Sequence, residues 1–320
     1  MLLKSVILTG AAGGIGMEVL PLLVASGFVV YAGAIDEWEM SELERLKVQL
    51  RTDRILPVML DLRQPEHIDA VIERVQSEHP ELAGLLLNGA ACPVPAPFEH
   101  LDLEITRDVY EIGLIGNLRL TQKCLPLMKV NKTRIIFTSS MWGLIPAHLV
   151  LSYSAYKHAA EAAFAIIRRE LEPFGVSVIM VNPGGVKNTY MIAHHYYGTR
   201  VVIAEMDGCD PRELGPSHYD GGKNTNLKQQ RQVPDPVYRP IQEAYYTSLI
   251  PLQAPDEMKF LATAADCGKA IVRALTARKP KRRYLVGGDV KVLAPIQRIL
   301  GGAVIDKIFS AAFKPPKERR

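Results

Sequence analysis

Ser140, Tyr153 and Lys157 are the residues whose types and spacing could do chemistry together. Tyr153 and Lys157 stand four apart at the start of an Ala-rich, helix-periodic run over residues 153–171. On a helix, positions i and i+4 share a face, with Cβ atoms about 5–6 Å apart. A phenol with an unperturbed pKa of about 10 is a poor base at neutral pH, and an ammonium fixed one turn away favours the phenolate. Ser140, thirteen residues before Tyr153, could hold an alcohol or carbonyl oxygen while the phenol moves its proton. The combination suits alcohol–ketone interconversion, provided that something nearby takes the hydride. A Tyr-x-x-x-Lys spacing alone arises often by chance, so its weight depends on the elements that position it.

Those elements begin at the N-terminus. Residues 5–9 read as a buried strand, followed by Gly10-Ala-Ala-Gly-Gly14-Ile15-Gly16, a helix-like run over 17–26 and a second strand over 28–35. Glycines between a strand and a helix let the backbone turn tightly and approach a ligand. The helix N-terminus then offers free N–H groups and a positive dipole end to a pyrophosphate. Further strand-like runs at 56–60, 85–87, 135–138 and 176–181, with a seventh near 284–286, alternate with helix-like ones. They are short and continuously apolar, as strands covered on both faces by crossover helices must be. An α/β fold is predicted: a Rossmann-like, doubly wound parallel sheet of about seven strands built from right-handed βαβ units. Long helices are expected over 103–128 and 153–171.

Residues 1–320 are read as one dinucleotide-binding catalytic domain, since single α/β domains often reach roughly 200–250 residues. Between 190 and 257 the composition shifts to Tyr, His, Gly, Asp and Gln with poor periodicity, the mark of a substrate lid rather than a plain connection. A C-terminal extension over 288–320 mixes apolar and basic residues. It is expected as a helix on the body or on a partner subunit, with peripheral membrane contact the alternative.

Thr9-Gly10-x-x-x-Gly14-x-Gly16 with Ser140, Tyr153 and Lys157 resembles the short-chain dehydrogenase/reductase family. Asp61 in Met59-Leu-Asp-Leu62, Asn88 in Leu87-Asn-Gly-Ala90, and Asn182-Pro183-Gly184-Gly-Val186 agree with it, so the resemblance covers roughly residues 4–190. Arg283-Tyr-Leu-Val-Gly-Gly-Asp-Val-Lys291 is similar to the Arg-Tyr-x-x-Gly-x-Asp-x-Lys segment of the branch with retinol, 17β-hydroxysteroid and 3-hydroxybutyrate dehydrogenases. The resemblance implies hydride transfer to or from a nicotinamide. Tyr153 is then the acid/base, Ser140 the hydrogen-bond donor to the substrate oxygen, and Lys157 the residue that lowers the phenol pKa and holds the nicotinamide ribose. It places the cofactor on Thr9, Gly10, Gly14, Ile15 and Gly16, with Asp61 at the adenine and Leu62 and Asn88 among the other cofactor-binding residues. Pro183, Gly184 and Val186 hold the nicotinamide side. It also implies a homodimer or homotetramer formed through the two long helices.

Where relatives carry Val-Asn-x-x-Gly, this chain has Ile112-Gly113-Leu-Ile-Gly116. Gly113 is read as a gap in the proton relay from the lysine, or else as room for substrate or close helix packing. Asn117 stands one turn further along. Tyr156 lies beside Lys157, so its ring is expected to point elsewhere. Asp36, just past the second strand, is the carboxylate that could accept from a ribose 2′-hydroxyl and repel a 2′-phosphate, which favours NAD over NADP. Met141, Trp142 and His148, beside the trio, would line a largely apolar pocket for a lipophilic secondary alcohol: a steroid, retinoid or polyketide. Two other readings stay open: a dinucleotide-binding regulatory or scaffold protein, and a non-redox isomerase or lyase reusing the Tyr153 acid/base.

A net charge of +4 is too small to argue for nucleic acid, and the basic run 278–283 reads as a solvated loop. Cys92, Cys124, Cys209 and Cys267 are widely spaced, so neither a disulfide framework nor a zinc site is expected. Adjacent His194 and His195 do not converge on a metal. With a strand almost at residue 1 and no run of about 18 apolar residues, neither a signal peptide nor a membrane span is expected, and a cytoplasmic protein follows.

Overall fold

The computed structural model describes residues 3–89, 91, 95–187, 189–208, 233–253 and 260–312. Seven strands form one all-parallel sheet: β1 (Ser5–Thr9), β2 (Val29–Ala34), β3 (Ile55–Met59), β4 (Leu82–Leu87), β5 (Arg134–Thr138), β6 (Ser177–Pro183) and β9 (Arg283–Val286). Their order is β3-β2-β1-β4-β5-β6-β9, reversing at β1/β4. A two-stranded pair, β7 (Val186–Lys187) and β8 (Ala262–Thr263), stands apart. The predicted fold class is the observed one.

Alternate residues of each strand bury against opposite layers. Ile7, Tyr31, Leu85 and Phe137 pack under α3 (Pro65–Glu78), α5 (Gly116–Asn131) and α6 (Leu151–Leu171), where Phe137 stacks on Phe164 at 4.7 Å. Val6, Leu8, Leu86 and Ile136 pack under α1 (Gly14–Ala25), α2 (Glu37–Gln49) and α9 (Ala264–Thr276). Burial on both faces is why the strands read as unbroken apolar runs.

Three segments differ from expectation. The helix expected over 103–128 is α4 (Leu103–Tyr110) and α5 joined by a π-helical turn, Glu111–Ile115. Gly116 lets that turn approach the loop after β3: a Cβ there would lie 2.6 Å from the Leu62 Cβ. Residues 190–257 hold two long helices, α7 (Tyr190–Met206) and α8 (Arg239–Gln253), which pack on each other. Helices that shelter one another need no single apolar stripe, so the helical period was faint. The extension breaks at Gly301 (φ +78°) into α10 (Gly288–Leu300) and α11 (Gly302–Ala312). Ala90, Cys92, Cys209, lid residues 209–232 and 254–257, and the tail 313–320 lie outside the described residues. Among the described residues, no helix is long and apolar enough to cross a membrane.

Candidate active site

Beyond β5 the chain stays extended through Ser140, then closes a 3₁₀ turn over Met141–Gly143. The Ser140 Oγ accepts the Trp142 N–H at 3.1 Å, capping that turn. Helix α6 docks on it through the Ser154 hydroxyl, which donates to the Trp142 carbonyl at 2.7 Å. Gly143 allows the approach: a Cβ there would stand 3.1 Å from the Lys157 Cβ and 2.7 Å from the Ser139 Oγ. Lys157 is buried, and its Nζ donates to the Thr138 carbonyl at 2.7 Å. Three rings flank the ammonium, with centroids at 5.0 Å (Phe137), 5.2 Å (Tyr156) and 5.5 Å (Tyr153). Ser140, Tyr153 and Lys157 thus gather beyond the carboxyl end of β5, where open parallel sheets bind ligands.

The reading of Tyr156 needs correction. Its ring does not point away; it meets Tyr153 edge-on at 5.4 Å and fills the space beside Gly113. A Cβ at 113 would lie 2.4 Å from the Tyr156 Cε2, so Gly113 makes room for close packing and is not an empty place in a relay. Asn117 is buried, with its Nδ2 donating to the Ile112 and Gly113 carbonyls at 3.0 Å each. The π turn shifts these carbonyls out of the regular helical ladder.

The N-terminal loop fits a dinucleotide. Gly10 has φ +58°, and a Cβ there would lie 2.9 Å from the Gly89 Cα; one at Gly16 would lie 2.4 Å from two carbonyl oxygens. Either side chain would close the cradle. Gly13 caps α1 without a side chain, which leaves the N–H groups of Gly14, Ile15 and Gly16 for an anion. The Thr9 hydroxyl accepts from Asn88 N–H (3.0 Å) and Gly89 N–H (2.8 Å), and the Asn88 Nδ2 donates to the Gly10 carbonyl at 3.3 Å. Thr9 and Asn88 therefore staple the loop to β4, and the buried Asn88 Oδ1 has no partner among the described residues. A Cβ at Gly14 would lie 3.6 Å from the Thr189 Cγ2, three residues past Val186.

Residues 4–196 match the family model for short chain dehydrogenases. The chain belongs to the short-chain dehydrogenase family. It is 36% identical over 324 residues to bovine (Bos taurus) 17-beta-hydroxysteroid dehydrogenase type 6, covering 98% of this chain and 90% of that one. It is 32% identical over 188 residues to mouse (Mus musculus) estradiol 17-beta-dehydrogenase 2. That match takes in 58% of this chain and 48% of the relative, about half its length. A short-chain dehydrogenase from Streptomyces avermitilis shares the fold at TM-score 0.70, 22% identity and 97% and 98% coverage of the two chains.

In this short-chain dehydrogenase the C-terminal segment braces the site. Arg283 forks onto Glu161 (3.0 and 2.6 Å) and reaches the Asn182 Oδ1 at 2.6 Å. The Asn182 Nδ2 donates to Glu161 at 2.6 Å and to the Ser140 carbonyl at 3.1 Å, so β6, α6 and β9 jointly fix the serine. The Asp289 Oδ2 accepts the Gly185 N–H at 2.6 Å, and a Cβ at Gly184 would collide with that carboxylate, 2.0 Å from its Oδ1. Burial raises the Asp289 pKa against its backbone hydrogen bonds. Pro183 ends β6 and buried Val186 pairs with Ala262, completing the turn. No sequence expectation covers the bracing roles of Glu161, Asn182, Arg283 and Asp289: the Arg-Tyr-x-x-Gly-x-Asp-x-Lys pattern carries Arg283 and Asp289, Asn182 opens the Pro-Gly turn, and Glu161 belongs to no local motif.

Asp61 is grasped by Arg63, whose Nε lies 3.0 and 3.1 Å from its two oxygens and Nη2 2.6 Å from one. Burial alone would raise the Asp61 pKa, but these bonds outweigh it and hold the carboxyl below its ordinary value. The Leu62 carbonyl accepts from Arg119 at 2.9 Å. Asp36 caps α2 by accepting the Glu39 N–H at 2.8 Å, and the Glu39 Oε2 accepts the Ile35 N–H at 3.0 Å. Burial pushes the Glu39 pKa up to about 7; the Ile35 bond opposes this and neighbouring Asp36 adds to it.

Of the expected substrate residues, Met141 is buried against Ile145, Val290 and Ile305, so its side chain goes to packing the extension. Trp142 is half-buried, between that cluster and the one holding Tyr153. His148 is exposed. Tyr245 of α8 joins the Tyr153 cluster, a contact that no motif announced. A cavity of about 530 Å³ opens between α7 and α8, lined among the described residues by Arg200, Ile203, Arg239 and Tyr246 but not by Ser140, Tyr153 or Lys157.

Proposed function

We propose that this oxidoreductase interconverts a lipophilic secondary alcohol and its ketone, with Tyr153 as the acid/base. The observation that carries the reading is the buried ammonium of Lys157, anchored on the Thr138 carbonyl and set against the Tyr153 ring. A fixed cation favours the phenolate over the phenol. In oxidation the Tyr153 oxygen takes the alcohol proton; in reduction it returns one to the forming alkoxide. The Ser140 hydroxyl donates to the same substrate oxygen and holds it in line. NAD(P), which the family binds, supplies or accepts the hydride when present. Gly10, Gly14, Ile15 and Gly16 would hold its pyrophosphate, and Pro183, Gly184 and Val186 its nicotinamide end.

The preference for NAD rests on Asp36 at the end of β2, and that for an apolar substrate on Trp142, Tyr245, Ile105 and Val109 around Tyr153. The steroid names of two relatives support the same class. Assembly as a dimer or tetramer through α5 and α6 belongs to this reading. The packing of the Tyr156 ring beside Gly113 supports the catalytic reading over a purely regulatory one. Nicotinamide fluorescence on binding, followed by turnover of a panel of steroid, retinoid and short-chain alcohols with NAD and with NADP, tests the proposal. Tight binding without turnover of any member would overturn it.

A further inference from the structure

Gly113 carries no side chain, and the space that a Cβ there would take is occupied. The Tyr156 ring sits there, its Cε2, Cδ2 and Cζ 2.4–2.7 Å from where a Cβ at 113 would stand. That ring is fully buried, meets Tyr153 at 88° and is backed by Tyr110 at 6.4 Å. Adjacent helix residues do not normally face each other, yet the Lys157 Nζ curls to within 5.2 Å of the Tyr156 centroid on its way to Thr138. An ammonium withdrawn from water gains most from a ring face. Of the three rings around it, Phe137 belongs to the sheet and Tyr153 to the reaction.

We propose that Tyr156 is a positioning residue: its ring, seated in the space Gly113 opens, holds the Lys157 ammonium and the Tyr153 phenol in working register. The inference rests on Tyr153 being the acid/base. Within a turn of the pair, the titratable groups are Tyr110 and Glu111 before Gly113, and His158 and Glu161 after Lys157. From packed elements come Arg283 of β9 and Tyr245 of α8. Glu111 is paired with Arg119, and Glu161 with Arg283, so neither brings an uncompensated charge.

The test is ultraviolet difference titration of the Tyr153 phenol in the full chain, each variant blanked against the same variant carrying Tyr153→Phe, with melting temperature alongside. Tyr156→Phe keeps the ring and should leave the midpoint unchanged. Tyr156→Leu and Gly113→Ala should each raise it by about half to one unit, the scale of a desolvated cation–π contact. Since alanine favours a helix over glycine, a lower melting temperature in Gly113→Ala reports the collision. The paired Gly113→Ala/Tyr156→Leu variant relieves that collision, so stability should recover while the midpoint stays raised. If Tyr156→Leu does not fold, Gly113→Ala and the paired variant decide by the same criterion. An unmoved midpoint in Gly113→Ala, or stability and midpoint recovering together in the paired variant, would overturn the inference. Turnover that survives Tyr153→Phe would instead sink the reading beneath it.

Discussion

Lys157 keeps its ammonium where almost no water reaches, and the groups that replace water decide what the residue can do. A carbonyl and three ring faces compensate the charge without neutralising it. Glu39 is the opposite case, a partly buried carboxyl pushed up to about 7 by desolvation. Its folded pKa lies above the ordinary carboxylate value, so its stabilising contribution is complete at low pH and lost as pH rises through about 7. Glu39→Gln keeps an acceptor for the Ile35 N–H and should equal the parent at about pH 5, then exceed it by on the order of 1 kcal/mol at about pH 8. Melting curves at both values check this, and a constant difference would contradict it. Asp36 serves two expectations that one substitution separates. Asn still caps a helix but carries no charge, so Asp36→Asn should keep the melting temperature and weaken discrimination against NADP. An unchanged ratio of NAD to NADP efficiencies would leave Asp36 with capping alone.

The π turn and strand β9 do most to set the trio's geometry, and they were legible to very different degrees. The strands, the glycine loop and the trio of Ser140, Tyr153 and Lys157 stood out because apolar runs and fixed spacings are local in the sequence. The π turn was hidden: Gly113 and Gly116 look like weak helix residues until Tyr156 and Leu62 are seen beside them. The brace around Ser140 was hidden as well, since Glu161, Asn182 and Arg283 meet only through the fold. Arg283→Leu should strand Glu161, whose side chain is only 10% exposed. Arg283 is itself partly solvated, so the expected cost is about 1–2 kcal/mol, with a drop in kcat as the serine loosens. Chemical denaturation and steady-state rates on one preparation check this, and a loss of stability with kcat intact would detach the brace from catalysis.

Across the whole molecule, α8 packs on β7 and α10 on β9, while α5 and α6 cover one face of the sheet. Val130 at the C-terminal end of α5 and Ile166 on α6 are exposed apolar residues, at 82% and 52%. If these helices meet a second subunit, light scattering should give a dimer or tetramer mass, and Ile166→Lys should shift it toward the monomer. A monomer at every concentration would contradict that assembly. The proposed chemistry turns on one proton and one oxygen. Tyr153→Phe removes only that hydroxyl, so nicotinamide fluorescence should show cofactor affinity within about threefold of the parent, while turnover falls by at least about 10²–10⁴-fold. Turnover by Tyr153→Phe near the parent rate, with cofactor bound, would contradict it.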